Sequence, residues 1–378
     1  MRYPKFLKDK GRIGFIAPSF GCAGEPYRTC FDEALKVFRK AGYETVLGPN
    51  CYEDCGLGKS NTPEKCGEEI NDFFANDRCD AIISCGGGET MCEDLDYVDF
   101  EKIKKTDPKW FMGCSDNTNL TFVLPTLCDT AAIYGPCAAK FGMKTWHPAV
   151  EDAFALLKGE KLSMKNYPFW EKYEKEIPEG EEPDPLEPYN ATEPSCMKLY
   201  KDGKLFVQSA MADGKAERVL NEETNYHLPT VSDAEVAEAF SGRLIGGCLD
   251  CLQTLCGTQY DAARDFSERY KEDGIIWFLE SCDLSPMGIR RVLWQLDNAG
   301  WFNHVKGFII GRALHFDEDF CGMNRINAVT GVLEKYSVPI ILDADFGHLP
   351  PMIPVISGAY ADVGYENGSL GINMILTH

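Results

Sequence analysis

Along the first 135 residues, short apolar runs alternate with stretches whose apolar positions recur every three or four residues. That alternation predicts a mostly parallel sheet covered by helices on both faces. Residues 13–17 read as a buried strand ending at Pro18 and Ser19. Phe31, Ala34, Leu35 and Phe38 then mark one face of a helix stopped near Gly42. Thr62 before Pro63 is a second helix start, with the proline at the first turn. Strands follow over 81–85, running into Gly86, Gly87 and Gly88, over 110–113 and over 131–134. Between the last two, Ser115 and Asp116 open a helix that continues to about Leu127.

The pattern breaks between Trp170 and Thr192, where Glu, Pro and Lys dominate. The run at 178–185, Pro-Glu-Gly-Glu-Glu-Pro-Asp-Pro, cannot build a packed core and reads as a linker or a surface excursion. Alternation resumes near Ser195 with a strand over 274–279, a helix over 286–298 and a strand over 307–310. A helix over 326–336, a strand over 339–342 and closing strands over 352–356 and 370–376 complete the chain. At 378 residues the chain exceeds what one hydrophobic core usually organises. The expected division is therefore an N-terminal α/β domain over 1–165, an acidic Pro-rich linker over 166–194 and a C-terminal mixed α/β domain over 195–378.

Composition narrows the function classes. With 44% hydrophobic and 26% charged residues, the chain is of ordinary globular type. Residues 1–10 contain no apolar run of signal-peptide or membrane-span length, which predicts a cytoplasmic protein without a membrane partner. A net charge of −21 disfavours nucleic acid, whose phosphates need a basic surface, and a small-molecule substrate fits better. The 17 cysteines, in a long chain of this kind, are expected to be reduced thiols. Cys51 with Cys55 and Cys248 with Cys251 have metal-like spacing, but no second pair with matching flanks completes a zinc site. A homodimer is one expected assembly.

The sharpest local signal is Phe111-Met112-Gly113-Cys114-Ser115-Asp116-Asn117, a strand delivering a serine into a tight turn that opens a helix. Such an elbow exposes the hydroxyl and turns the following amides toward a developing oxyanion. It departs from G-x-S-x-G at Asn117, and a serine in this place also serves simply as a helix cap. The three glycines before Glu89 let backbone approach a ligand closely. An amide of Gly87 or Gly88 with that of Asp116 is the expected oxyanion hole, against the alternatives of a plain turn or a phosphate cradle. Gly58-Lys59-Ser60 looks like a Walker A ending, but Glu53 stands where the upstream glycine is required.

In the second half, Glu280 ends an apolar strand, where sheet enzymes place functional groups, or else caps the following helix. His348 stands after Gly347 and before Pro350 and Pro351, on a loop suited to a positioned base. The competing reading is a metal-dependent hydrolase using Asp343, Asp345 and His348, with His315 and Asp317 as additional candidates. His147, His227, His304 and His378 have no comparable context. A non-catalytic small-ligand-binding protein is the third reading.

Taken in order, Gly14 to Ser19, the triple glycine, Pro108 to Leu120, Gly242 to Gly247, Phe278-Leu279-Glu280 and Phe346-Gly347-His348 resemble the LD-carboxypeptidases, a serine peptidase family that includes the microcin C self-immunity peptidase. The resemblance spans nearly the whole chain. It implies a Rossmann-like N-terminal domain with a parallel sheet, and a C-terminal domain contributing Glu280 and His348. It also implies that Ser115, Glu280 and His348 are the catalytic serine, glutamate and histidine, acting without a cofactor. The implied substrates are a murein tetrapeptide losing its terminal D-alanine, or an acidic residue joined to a nucleotide-like group. Glu89 and the extended Trp170 region look more like the immunity branch. Arg290 and Arg291, on the helix after Glu280, are the candidate partners of a substrate carboxylate, against an exposed solvated face as the expected role of at least one of them. Two departures stand out: Cys114 replaces the family's usual tyrosine before the nucleophile, and Cys248 replaces its usual asparagine after the glycine pair.

Overall fold

A computed structural model describes residues 1–178, 180, 182–207 and 230–376. His227 and His378, and two positions of the acidic run at 178–185, lie outside the described residues. Two sheets carry the architecture. The first contains β1 (Arg12–Ile16), β2 (Glu44–Leu47), β3 (Ala81–Ser84), β4 (Trp110–Gly113) and β5 (Ala132–Tyr134), all paired in parallel. The chain then lays down β6 (Ser163–Lys165), β7 (Phe169–Trp170), β8 (Glu193–Pro194), β9 (Lys198–Lys201), β10 (Lys204–Phe206) and β11 (Thr230–Ser232). After these come β12 (Ala237–Cys248), β13 (Ile275–Glu280), β14 (Val305–Gly311), β15 (Ile340–Ala344), β16 (Val355–Ser357), β17 (Tyr360–Glu366) and β18 (Ser369–Ile375).

The first sheet has the order β16-β5-β4-β3-β1-β2. The second has ten strands in the order β11-β10-β9-β15-β14-β13-β12-β17-β18-β6. At the centre of the second sheet, β12, β13, β14 and β15 run parallel, and antiparallel strands flank them. Each half of the chain lends a strand to the other. β16 pairs with β5 in the N-terminal sheet, and β6 pairs with β18 in the C-terminal one. The expected boundary at residue 165 thus falls at the end of a strand already committed to the second sheet.

The helices follow the apolar pattern. Tyr27–Lys40 buries Phe31, Ala34, Leu35 and Phe38, and Pro63–Ala75 starts with its proline at the first turn. Parallel strands buried on both faces read as continuous apolar runs, and β3, β4 and β13 are buried at every position. The segment expected to be a linker or a surface excursion is laid down on the protein. β7 pairs with β8, Glu171 N donates to Pro350 O at 2.7 Å, and Lys144 N donates to Leu186 O at 2.8 Å. Its acidic composition prevents it from forming a core but not from docking on one. Among the described residues, no helix is long and apolar enough to cross a membrane.

Candidate active site

The C-terminal ends of parallel strands from both sheets converge on one cleft, the position at which open α/β sheets place their ligands. β4 delivers Ser115, whose φ of +60° puts it in the left-handed region that few non-glycine residues adopt. The turn is locked from several directions. Asn117 Nδ2 donates to Gly86 O at 2.8 Å and to Cys114 O at 2.9 Å. A Cβ at Gly113 would stand 2.8 Å from the Asn117 side chain, so the first glycine of the elbow makes room for the residue replacing the second. The Asp116 carboxylate is buried. It accepts from Met91 N at 2.9 Å, from Asn119 Nδ2 at 3.0 Å and from Ser19 Oγ, and so ties the elbow to the first strand's loop.

β13 delivers Glu280, 1% exposed, and the loop after β15 delivers His348. His348 Nδ1 lies 2.9 Å from Glu280 Oε2, and His348 Nε2 lies 3.0 Å from Ser115 Oγ. In the neutral imidazole, with Nδ1–H donated to the carboxylate, the Nε2 lone pair faces the serine hydroxyl. Glycines make this approach possible. A Cβ at Gly347, φ +100°, would sit 2.7 Å from Glu280 Oε2, and one at Gly311 would sit 2.9 Å from Glu280 Cβ. Burial pushes the Glu280 carboxyl up, but the His348 charge and hydrogen bonds from His348, Tyr134 and Cys248 outweigh it and hold the group below its ordinary value. Burial likewise pulls His348 down, but the charge of the Glu280 carboxylate and the hydrogen bonds that His348 makes to Cys282 and Glu280 leave it above the usual imidazole range.

Tyr134, at the end of β5, is a member of the site that the sequence reading missed. Its hydroxyl donates to Glu280 Oε1 at 2.5 Å and accepts from Ser115 N at 3.3 Å, linking the Ser115 turn to the carboxylate. The available signal was its place: the last residue of a parallel strand, before Gly135 and Pro136.

The glycine loop lies against the serine. A Cβ at Gly87 would be 3.2 Å from Ser115 Oγ, and one at Gly88, φ +145°, would collide with Ser19 Oγ. Phe20 N fixes the loop by donating to Gly87 O at 2.7 Å. Cys114 Sγ points at Cys137 Sγ, 3.9 Å away, and the contact with Cys137 together with burial raises the Cys114 thiol well above its ordinary pKa. Cys248 and Cys251 also reach the cleft. Cys248 N donates to Thr118 Oγ1 at 3.0 Å, and a Cβ at Gly247 would meet Thr118 at 2.6 Å, which requires a glycine at 247 where the second sheet abuts the elbow helix.

Other expected residues are not brought together. Asp343 is paired with Arg325, Nε to Oδ1 at 2.9 Å, and with Lys198, while Asp345 is held by Arg312 and by Tyr167 N at 2.7 Å. With His348 turned to Glu280 and Ser115, the three do not form a ligand set. Among the described residues, no group of three His, Cys, Asp or Glu side chains is placed to hold a metal. His315 pairs with Glu318. Arg290 Nη1 donates to Asn327 O at 3.1 Å, and neither Arg290 nor Arg291 lines the cleft. The helix Pro286–Asn298 turns them away from it, a direction that position after Glu280 could not reveal. Glu89 is exposed at the cleft's edge.

Two cavities border Ser115. One, of about 190 Å³, is lined by His348, Tyr134, Lys140, Tyr189 and Met352 among others. The second, of about 110 Å³, is lined by Gly88, Glu89, Asp116, Asp250, Asp283 and four cysteines.

Comparison with known proteins agrees along the chain. Sequence models of the LD-carboxypeptidase N-terminal and C-terminal domains match residues 13–135 and 241–363. A candidate carboxypeptidase of Vibrio cholerae is 24% identical over 369 residues, covering 97% of this chain and 96% of the relative. The microcin C7 self-immunity protein MccF of Escherichia coli is 24% identical over 366 residues, covering 95% of this chain and 92% of the relative. The structure of MccF in complex with aspartyl sulfamoyl adenosine superposes with a TM-score of 0.72 at 20% identity, covering 98% of both chains, and supports a common fold.

Proposed function

Because the chain belongs to the LD-carboxypeptidase family of serine peptidases, we propose that it hydrolyses an amide bond of a small peptide-like substrate through Ser115, His348 and Glu280. The observation that carries this reading is the unbroken hydrogen-bonded line from Ser115 Oγ through His348 to Glu280, made by residues 233 and 68 positions apart. A serine hydroxyl is a poor nucleophile until a base within hydrogen-bond reach takes its proton. His348 Nε2 takes that proton as Oγ attacks the carbonyl carbon. The tetrahedral oxyanion faces the amides of Gly87 or Gly88 and Asp116. The C–N bond then breaks, and the leaving amine collects the proton from His348. Water, deprotonated by the same histidine, releases the acyl group and restores Ser115. Glu280 holds the imidazole tautomer and stabilises its charged form without itself taking the proton. Tyr134 fixes the free oxygen of that carboxylate.

The test is hydrolysis of a murein tetrapeptide beside an aspartyl sulfamoyl-adenosine, followed by mass spectrometry. Cleavage of either amide by the wild type and by no Ser115→Ala sample is expected. Equal product with Ser115→Ala would remove the serine from the mechanism.

A further inference from the structure

Two thiols stand side by side at the strand ends that build the site. β4 and β5 pair in parallel with Gly113 beside Tyr134, and Gly135 N donates to Gly113 O at 3.2 Å where the two strands end. Cys114 follows the first strand and Cys137 lies three residues past the second, and their Sγ atoms meet at 3.9 Å. Both are free cysteines.

The two sulfurs are not equivalent. Asn117 Nδ2 donates to Cys137 Sγ at 3.5 Å, so Cys137 is the acceptor of the cluster and the proton between the sulfurs belongs on Cys114. The hydrogen bond from Cys114, with the charges of Lys140 and His348, outweighs burial and holds the Cys137 thiol below its ordinary value, while Cys114 is pushed the other way. A thiolate beside a thiol is the arrangement of an attacking and a resolving cysteine. Cys114 and Pro136, the residue before Cys137, line the cavity that also contains Ser115 and His348, which gives a molecule as small as a peroxide a way to the pair.

We propose that Cys114 and Cys137 are a modification site, oxidised by hydrogen peroxide to a disulfide that switches Ser115 off. The Cys137 thiolate attacks one peroxide oxygen, the O–O bond breaks, and hydroxide leaves as Cys137 becomes a sulfenic acid. The Cys114 sulfur then displaces the sulfenic hydroxyl, which departs with the Cys114 proton as water while the S–S bond forms. Two electrons pass from the sulfur pair to the peroxide. Closing a 3.9 Å gap to a covalent bond pulls on the residue immediately before Ser115, whose turn is held at φ +60°, and it removes the thiolate to which Asn117 donates. Moving Ser115 Oγ by about an ångström relative to His348 costs about a hundredfold in rate. The effect on turnover rests on the hydrolase reading above, whereas formation of the bond does not.

The experiment treats reduced full-length protein with hydrogen peroxide, blocks the remaining thiols with N-ethylmaleimide and cleaves the chain before its aspartates. That cleavage puts Cys114, Cys128 and Cys137 on separate peptides. Mass spectrometry is expected to find the peptide of Cys114 joined to that of Cys137. Hydrolysis of p-nitrophenyl butyrate, measured on the same sample, falls by about a hundredfold and returns with dithiothreitol. Cys137→Ala and Cys137→Ser each keep most of their own starting rate under the same peroxide. The inference is overturned if no peptide joining Cys114 to Cys137 forms, or if the joined protein hydrolyses the ester as fast as the reduced one. It is equally overturned if the Cys137 variants lose activity as the wild type does. Ester hydrolysis that persists in Ser115→Ala would instead defeat the hydrolase reading, and the joined peptide, read by mass alone, still decides whether the two thiols form the bond.

Discussion

Ser115 is held in a left-handed conformation that costs an L-residue roughly 1–3 kcal/mol, a strain met at sites where surrounding contacts over-determine the backbone. Asn117, Tyr134 and the glycine loop supply those contacts. Removing the hydroxyl leaves them in place, so Ser115→Ala should keep the wild-type melting temperature while kcat falls by about four to six orders of magnitude. Cys114→Ala should retain turnover within about tenfold, because a thiol raised by Cys137 and burial is not a ready nucleophile. Steady-state assays with thermal unfolding of each variant check both. The His348 pair predicts a pH signature. Its imidazole lies above the ordinary range chiefly because the Glu280 carboxylate offsets burial. Protonated His348 cannot accept the Ser115 proton, so activity rises as pH climbs through that raised value. Glu280→Gln removes the offset, and the acid limb of kcat/KM should move to lower pH while the plateau falls. A limb that stays in place would show that another group sets it.

At the level of elements, strand ends and glycines do the positioning. Gly347 permits His348 to close on Glu280, since a Cβ there would lie 2.7 Å from the carboxylate oxygen on a backbone with φ +100°. Gly347→Ala should therefore destabilise the fold by about 1–3 kcal/mol and lower kcat by about a hundredfold or more, since misplacing a base by an ångström is enough. Calorimetry and turnover on the same sample test the pair of effects. Most of these elements were legible. The strand at 110–113 and the helix at 286–298 stand as their apolar patterns predicted, and the other assigned strands lie within a few residues of their expected bounds. β12 was not assigned as a strand, because Ala237 to Gly242 mixes small and polar residues and gains its order from pairing with β17. β17 did carry a period-two signal, with Ala361, Val363 and Tyr365 buried between outward residues. Tyr134 was hidden for another reason: a tyrosine at a strand end looks like core until its hydroxyl partner, 146 residues away, is known.

For the whole molecule, the site exists only where the two sheets meet. Ser115 and Tyr134 come from the first, Glu280 and His348 from the second, and Gly247 against Thr118 sets the spacing between them. The exchange of β16 and β6 was invisible to linear division, because a three-residue strand pairs by tertiary context rather than by its own pattern. A fragment of residues 1–165 would lack β16 on its sheet edge and lack both Glu280 and His348, and it is expected to show no turnover. Hydrolysis by that fragment near the full-chain rate would place the base in the first sheet. The central claim is that Ser115, activated by His348, is the nucleophile, and covalent capture tests it most directly. Full-length protein is treated with a fluorophosphonate and the adduct is mapped by peptide mass spectrometry. The account predicts a single adduct on Ser115, formed far more slowly in His348→Ala. An adduct on Cys114 or on another hydroxyl, or equally fast labelling of Ser115 without His348, would contradict it.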